Sequence, residues 1–391
     1  MTEKAGGSDV GASELAAVRD GDHWRLWGEK WFCSNVDAEL VVLLARPENA
    51  PPGSRGLGLF LVPRTLPDGR RNDYRILRLK NKLGSRTMAS GEIVFDGAIA
   101  YQLGALDQEL KQMLVMVNSS RVSHLARAAG IMRRCLNEAL VVARHRRSFG
   151  RPVIDHPLMR RQLMKLSVPT EQALSSLLFA ATASDDVLQL VTPISKYRAC
   201  RDNVTVATGA MEVRGGNGYV EDWPNARLVR DAHLGLIWEG TSNINALDAI
   251  QRAIGKAGSH VAFRDAMAQT LTAAPHIPGQ FRTRLEDAVT EAVAFAREVA
   301  THKEYERFCR VAAAKLYHAK TATLLAAEGA RLGMAGGDAR RLVIARFVLD
   351  HRLREARSPQ LGTSDWEDGA IGALLSECPM TIDQAINFVQ H

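Results

Sequence analysis

Disulfide chemistry has little to work with in this chain. Its five cysteines, Cys33, Cys135, Cys200, Cys309 and Cys378, are odd in number, far apart and never in a CxxC pair. That excludes a disulfide framework and a zinc knuckle and fits a reducing cytoplasm. No apolar run reaches the ~18 residues of a membrane span. The opening Met1-Thr2-Glu3-Lys4-Ala5-Gly6-Gly7-Ser8-Asp9 has no apolar core and does not read as a secretory signal. Internal repeats and low-complexity tracts are missing too, which removes solenoids and linkers. What is present is ordinary for a globular protein: 391 residues, 46% hydrophobic and 24% charged, enough for two or three domains of ~150 residues. The expectation is a soluble, cytoplasmic protein with no membrane partner.

The net charge is +7, and its distribution is uneven. Between Met132 and Lys165 stand nine cations (Arg133, Arg134, Arg144, Arg146, Arg147, Arg151, Arg160, Arg161, Lys165) and two acids, Glu138 and Asp155. This one segment carries the whole excess. A local basic cluster points to an anionic partner, whether nucleotide phosphates, coenzyme A or nucleic acid. A solvated helix face is the competing explanation.

The first hundred residues read as β. His23–Phe32, Leu40–Leu44, Leu57–Val62, Tyr74–Leu79 and Glu92–Phe95 are short strand-like runs. Turn chemistry separates them at Asp20-Gly21, Pro51-Pro52-Gly53, Pro67-Asp68-Gly69 and Asp96-Gly97, which predicts an antiparallel barrel or sandwich. After Gly104 the period changes. Leu114, Val117, Arg121, Leu125, Ala128, Met132 and Cys135 mark one face of a long helix, with Arg121 inside an otherwise apolar stripe. Further helical patterns at 157–168, 171–181 and 194–209 predict an antiparallel bundle. Ala274-Pro275-His276-Ile277-Pro278-Gly279 breaks the run, and helix resumes from Leu285 to about Arg357. The fold class is α+β: a β-barrel domain over 1–105, a helix bundle over 106–255 and a helical extension over 256–391. The extension carries 17 basic and 16 acidic residues and is close to neutral.

Three segments resist explanation by packing alone. In Thr2–Asp9, paired glycines expose backbone N–H groups that can cradle an anion beside a Ser hydroxyl, although a mobile terminus looks the same. In Arg146-Arg147-Ser148-Phe149-Gly150 an Arg fork and a hydroxyl suit phosphate oxygens. Charge compensation at a helix end, with Gly150 as the stop, explains the segment equally well. The third pairs Glu212-Val213-Arg214-Gly215-Gly216-Asn217-Gly218-Tyr219 with Ile237-Trp238-Glu239-Gly240-Thr241-Ser242-Asn243. Glu239 follows an apolar stretch; burial would raise its pKa towards that of a general base. It reads equally well as the acid ahead of a helix over Thr241–Ala249.

In order and spacing these segments resemble the acyl-CoA dehydrogenase flavoproteins over residues 1–255. The matching elements are the Thr-Glu…Gly-Ser-Asp opening, Trp31 on a following strand, Arg146–Gly150, the Gly215–Tyr219 loop and Glu239–Ser242. Met1–Asp9, Lys30-Trp31-Phe32, Phe60–Arg64 and Ile237–Gly240 look most like the AidB-type, alkylation-response branch. Members of that branch carry an extra helical region where 256–391 stands here. The resemblance implies FAD as cofactor and no metal. It places Thr2, Ser8, Trp31, Phe32, Cys33, Ser34, Arg146, Ser148, Glu212, Gly215, Gly216, Thr241, Ser242 and Asn243 around that cofactor. It places Ser8, Arg121 and Gly240 near the acyl-CoA substrate and makes Glu239 the catalytic base of α,β-dehydrogenation. Arg146 and Ser148 would reach the cofactor of a neighbouring subunit, which implies a homodimer or tetramer. An electron-transfer flavoprotein would take the electrons.

Three departures are visible, one of them being that the 256–391 extension lacks the strong positive charge of a DNA-binding module. The family's N-terminal helical domain does not precede Thr2, and its glycine-rich turn before the long helix is replaced by Ala105-Leu106-Asp107-Gln108-Glu109. An AidB-type, DNA-associated flavoprotein, which the branch resemblance and the basic pI favour and the near-neutral extension opposes, is the second reading, and an inactive truncated member, which the missing domain suggests, is the third. Salt-dependent DNA binding would favour the second, and a colourless purified protein the third.

Overall fold

The computed structural model describes residues 1–105, 109–353 and 365–390. The chain divides into two compact units, Met1–Ser120 and Arg121–His391.

The first unit is a barrel-like sheet of β1 (Ala16–Asp20), β2 (His23–Cys33), β3 (Leu40–Pro47), β4 (Gly58–Pro63), β5 (Tyr74–Leu79) and β6 (Gly91–Gln102). The strand order is β2-β1-β3-β4-β6-β5, and a further β2–β6 pairing closes five strands into a ring with β5 added outside. Closure removes two edges that would otherwise invite aggregation. Every pairing is antiparallel except the short β1–β3 contact. Alternate residues face inward, so Trp24, Leu26, Phe60, Val62, Ile93 and Phe95 fill the interior. The Trp24 and Phe60 rings meet edge to face at 5.4 Å.

Two sequence expectations need correction here. Asp96-Gly97 is not a turn after the last strand: it lies inside β6, where the register against β2 slips between Leu26 and Trp27. Gly97, at φ +84°, is the bulge residue, and the Trp27 ring lies 3.1 Å from where its Cβ would stand. A glycine in the left-handed region is a signature of such bulges. Strand β1 had no signal, because Ala16-Ala17-Val18-Arg19-Asp20 has one β-branched residue and no alternation.

Helix α1 runs Glu109–His145. The helices that follow are α2 (Pro157–Ala180), α3 (Asp185–Arg214), α4 (Pro224–His233), α5 (Ser242–Leu247), α6 (His260–Thr272), α7 (Gly279–Thr301), α8 (Cys309–Met334), α9 (Arg340–Val348), α10 (Asp365–Leu375) and α11 (Ile382–Gln390). The substitute for the family's glycine-rich turn falls largely on 106–108, outside the described residues. The patterns at 157–168 and 171–181 belong to one helix, α2, which continues through Pro169. The break at 274–279 separates α6 from α7 as the prolines demand.

One hydrophobic core runs through the second unit from Leu125 to Val389. Helices of the 256–391 region are therefore built into it. Arg341 of α9 bonds Glu171 and Ser175 of α2, both at 2.9 Å, and also Glu328 of α8. Gln172 of α2 donates to Thr321 of α8 at 2.6 Å. A run of small residues in α8, Ala312, Ala313, Ala319, Ala322 and Ala326, allows this close packing.

Candidate active site

In the second unit the turn before α5 brings together residues far apart in sequence. After α4 the chain passes through the helical turn Leu234–Leu236 and Ile237–Gly240, and Thr241 then caps α5. Gly235 makes the approach possible: a Cβ there would stand 2.9 Å from Cys200 Sγ on α3. Glu239 has φ +53° and Gly240 φ +89°. A non-glycine residue in that region costs on the order of 1–3 kcal/mol and persists only where its surroundings impose it.

Those surroundings are side chains that seize the carbonyls of the turn. Arg121 Nε donates to Glu239 O at 3.2 Å. Lys196 Nζ donates to Gly240 O. Asn245 Nδ2 donates to Gly240 O at 2.7 Å and Thr241 O at 3.0 Å. Arg121 is buried and also pairs with Asp248 at 2.6 Å, so it does not snorkel to solvent. His124, one turn along α1, packs against Trp238 with the rings tilted by 41° and their centroids 4.7 Å apart. Burial pushes its imidazole down to about 4, with help from the Lys196 and Arg127 charges. The Glu239 carboxylate takes no hydrogen bond and no ion pair from the described residues. It is only partly buried.

A second cluster lies at the end of α1. Residues 147–148 and 151–152 form a two-residue hairpin, β7 (Arg147–Ser148) and β8 (Arg151–Pro152). Phe149 at φ +49° and Gly150 at φ +81° occupy its turn, as a primed turn requires. Gly150 is thus a hairpin residue and not the stop of α1, which ends at His145. The Arg146 guanidinium donates to Arg214 O at 3.1 Å and lies 3.1 Å from where a Gly215 Cβ would stand. Gly215 and Gly216 are exposed, and nothing lies within 4 Å of a Cβ at Gly216. Glu212 accepts from Gln162 at 3.2 Å, and Ser148 Oγ sits 3.3 Å from His156 Nε2. Of the α5 residues, Thr241 and Ser242 are partly buried and Asn243 is exposed.

In the first unit, Trp31 N donates to Thr2 O at 2.9 Å, tying the opening segment to β2. Glu3 anchors the segment: it pairs with Lys30 and accepts from Glu14 N at 2.6 Å. Gly6 is required, since a Cβ there would meet Asp9 O at 2.5 Å. Lys80 Nζ lies 3.1 Å over the Trp31 ring. Phe32, Ser8 and Ser34 are exposed, and Cys33 is partly buried, its thiol pushed up by desolvation.

The basic segment 132–165 loses much of its free charge in space. Arg133 pairs with Glu171, Arg134 with Glu138 at 2.9 Å, Arg144 with Glu377 at 3.1 Å and Arg161 with Glu367 at 3.1 Å. Three of those four acids come from outside the segment. Sequence reasoning missed Lys196, Asn245 and His124. Lys196 carried a usable signal, a lone cation in the run Thr192-Pro193-Ile194-Ser195-Lys196-Tyr197 whose every residue is buried.

Among the described residues no helix is long and apolar enough to cross a membrane. Models of the acyl-CoA dehydrogenase middle and C-terminal domains match residues 1–98 and 110–255. Acyl-CoA dehydrogenase family member 11 of Caenorhabditis elegans is 37% identical over 289 residues, covering 69% of this chain and 47% of that protein. Putative acyl-CoA dehydrogenase AidB of Escherichia coli (strain K12) is 38% identical over 268 residues, covering 66% and 48%. The chain thus spans about half the length of these curated relatives. The crystal structure of Caenorhabditis elegans ACDH-11 in complex with C11-CoA superimposes with a TM-score of 0.83 at 30% identity, over 91% of this chain and 64% of that one. Butyryl-CoA dehydrogenase from Megasphaera elsdenii superimposes with a TM-score of 0.60 at 25% identity, over 63% and 65%. A barrel-like sheet, a helix bundle and two consecutive domain matches covering more than half of the residues agree: the chain belongs to the acyl-CoA dehydrogenase family.

Proposed function

We propose that the chain oxidises an acyl-CoA thioester at its α,β bond with FAD as cofactor, and that Glu239 is the base. The observation that carries this reading is the turn itself. Arg121, Lys196 and Asn245 hold the backbone of residues 239–241 by its carbonyls, while the Glu239 carboxylate takes no hydrogen bond or ion pair from the described residues. A structural acid would be paired; one kept free on a clamped backbone is placed to accept a proton. The Glu239 amide also has no acceptor among the described residues. It can donate to a thioester carbonyl and so acidify the α-carbon.

The residues fit the cofactor. Arg146 spends one bond on Arg214 O and keeps donors for a phosphate beside the bare Gly215-Gly216 backbone. Trp31, Phe32, Cys33 and Ser34 at the end of β2 and Thr2 and Ser8 on the opening segment offer exposed or half-exposed polar and aromatic groups. Ser148, Glu212, Thr241, Ser242 and Asn243 complete the proposed binding set. When bound, FAD supplies the acceptor for the β-hydride. Self-association and an electron-transfer flavoprotein as electron acceptor belong to the same reading.

The test compares wild type with Glu239→Gln, both loaded with FAD, under anaerobic addition of acyl-CoAs of increasing length. Gln keeps shape and hydrogen bonding but cannot take the proton, so flavin bleaching should slow by about 10²–10⁴ with FAD content unchanged. Equal bleaching rates would remove Glu239 from the reaction. A wild-type chain that never gains a flavin spectrum with excess FAD would overturn the whole reading.

A further inference from the structure

We infer that Lys196 is a positioning residue for Glu239, its ammonium fixing the left-handed turn by its bond to the Gly240 carbonyl. The inference rests on Glu239 being the base and adds to that reading a group in contact with neither substrate nor cofactor.

Three observations converge on it. Lys196 is 1% exposed, yet no carboxylate lies within ion-pairing distance among the described residues; its hydrogen-bond partner is Gly240 O. A buried ammonium without a counter-ion is a poor structural choice, since an apolar side chain of similar length would pack there at less cost. Second, the ammonium bonds the peptide next to a non-glycine residue in the left-handed region, Glu239 at φ +53°, and just before Thr241. Third, α3 presents Lys196 and Cys200 four residues apart, hence on one face. Cys200 packs under Gly235 and Lys196 under Gly240, so this face supports both ends of the turn.

Removing the ammonium does not orphan the carbonyl, because Asn245 Nδ2 also donates to Gly240 O at 2.7 Å. What is lost is the stronger, charge-assisted restraint. The turn should then relax from its left-handed geometry and the carboxylate should wander, while the fold stands.

The groups facing Lys196 define its pH behaviour. Desolvation lowers the ammonium to about 8; Arg121 on α1 pushes the same way, and Cys200 on α3 and the Glu239 carboxylate oppose. His124 on α1 also faces it and stays neutral down to about 4, while α5 contributes the uncharged Asn245. Above about pH 8 the amine is neutral and the restraint weakens.

Lys196→Met and Lys196→Gln, each loaded with FAD, are compared with wild type and Glu239→Gln in flavin reduction by one acyl-CoA across pH 6.5–9.5. The expected Met variant loses about 10- to 100-fold in kcat with KM and FAD content kept. Its thermal stability should equal or exceed wild type, which a merely structural lysine would not allow. The Gln variant should regain part of the rate, and neither variant should show the wild-type fall near pH 8. Without cofactor, amide exchange across residues 237–244 should be faster in the Met variant. A Met variant with wild-type kcat and exchange overturns the inference while a dead Glu239→Gln leaves the base in place. A fully active Glu239→Gln removes the base and this inference with it. If both Lys196 variants fail to fold, the ammonium is structural and the inference is overturned.

Discussion

The two units bury lysines in opposite ways. In the barrel, Lys30 is 3% exposed and lies against Glu3, whose carboxylate also accepts from Glu14 N and Leu15 N. In the helical unit, Lys196 and Lys320 are as deeply buried and meet no carboxylate among the described residues. Lys320 Nζ donates instead to Ser176 Oγ at 2.6 Å and Ser195 Oγ at 2.7 Å. Desolvation lowers all three; Glu3 opposes it at Lys30, whereas Lys196 falls to about 8 and Lys320 to about 7. A buried pair welds the opening segment to its strand. A buried lysine without a counter-ion is left close to neutrality, where it titrates.

Breaking the pair should have the largest effect on stability. Glu3→Gln leaves the Lys30 ammonium buried without its counter-charge, and such losses cost about 3–5 kcal/mol. Denaturant unfolding followed by barrel tryptophans should show this loss, and Trp31 should become more exposed as the Thr2 segment detaches. A loss under about 1 kcal/mol would mean that the pair is not welded.

Lys320 offers the opposite outcome. Between about pH 7 and 10.5 the unfolded chain keeps the Lys320 proton and the folded chain does not. Stability therefore rises with pH through that window, by up to about 1.4 kcal/mol per unit, and the penalty is full below about 7. Lys320→Met should stabilise by up to a few kcal/mol at pH 7, the gain shrinking towards pH 10. The two hydroxyls remain satisfied, since Ser176 Oγ donates to Ser195 Oγ at 2.9 Å and Ser195 Oγ to Val191 O at 2.5 Å. Denaturant unfolding of both proteins at pH 6.5, 8 and 9.5 measures the difference, and a destabilised Met variant would contradict the comparison.

How much of this was legible beforehand follows from range. Turn pairs and alternation located five of the six barrel strands because those signals are local. Asp96-Gly97 misled because bulge and turn ask the same of glycine, and only the strand opposite distinguishes them. Arg121 stood out as a cation in an apolar stripe, but its partner Asp248 is 127 residues away. Part of the charge of the basic segment is met by acids that local sequence cannot assign to it: Glu171, Glu367 and Glu377 pair with Arg133, Arg161 and Arg144. Glu239 was legible as a candidate through its apolar flank and the family resemblance. The clamp on its carbonyls was not, because it is built from backbone acceptors that leave no trace in residue identity.

The smallest expected effect isolates burial as the cause. Beside Glu3–Lys30 lies the same pair with its order reversed, Lys4 and Glu29, 2.5 Å apart and 57% and 43% exposed. Both pairs join the opening segment to β2, so chain connectivity and strand geometry are shared and solvent is the main difference. Water screens the outer pair, and holding two long side chains together costs rotamer entropy, so exposed pairs couple by about 0.2–1 kcal/mol. Lys4 also lies 5.1 Å from the Trp31 ring centroid, so Lys4→Ala removes a contact besides the ion pair. A double-mutant cycle with Lys4→Ala and Glu29→Ala cancels that contribution and leaves the pair alone. Run beside a Glu3→Gln, Lys30→Met cycle, it should give a coupling several-fold smaller, falling further in 1 M salt while the buried coupling holds. Equal couplings at low and high salt would mean that the strand geometry, and not burial, sets the strength of both pairs.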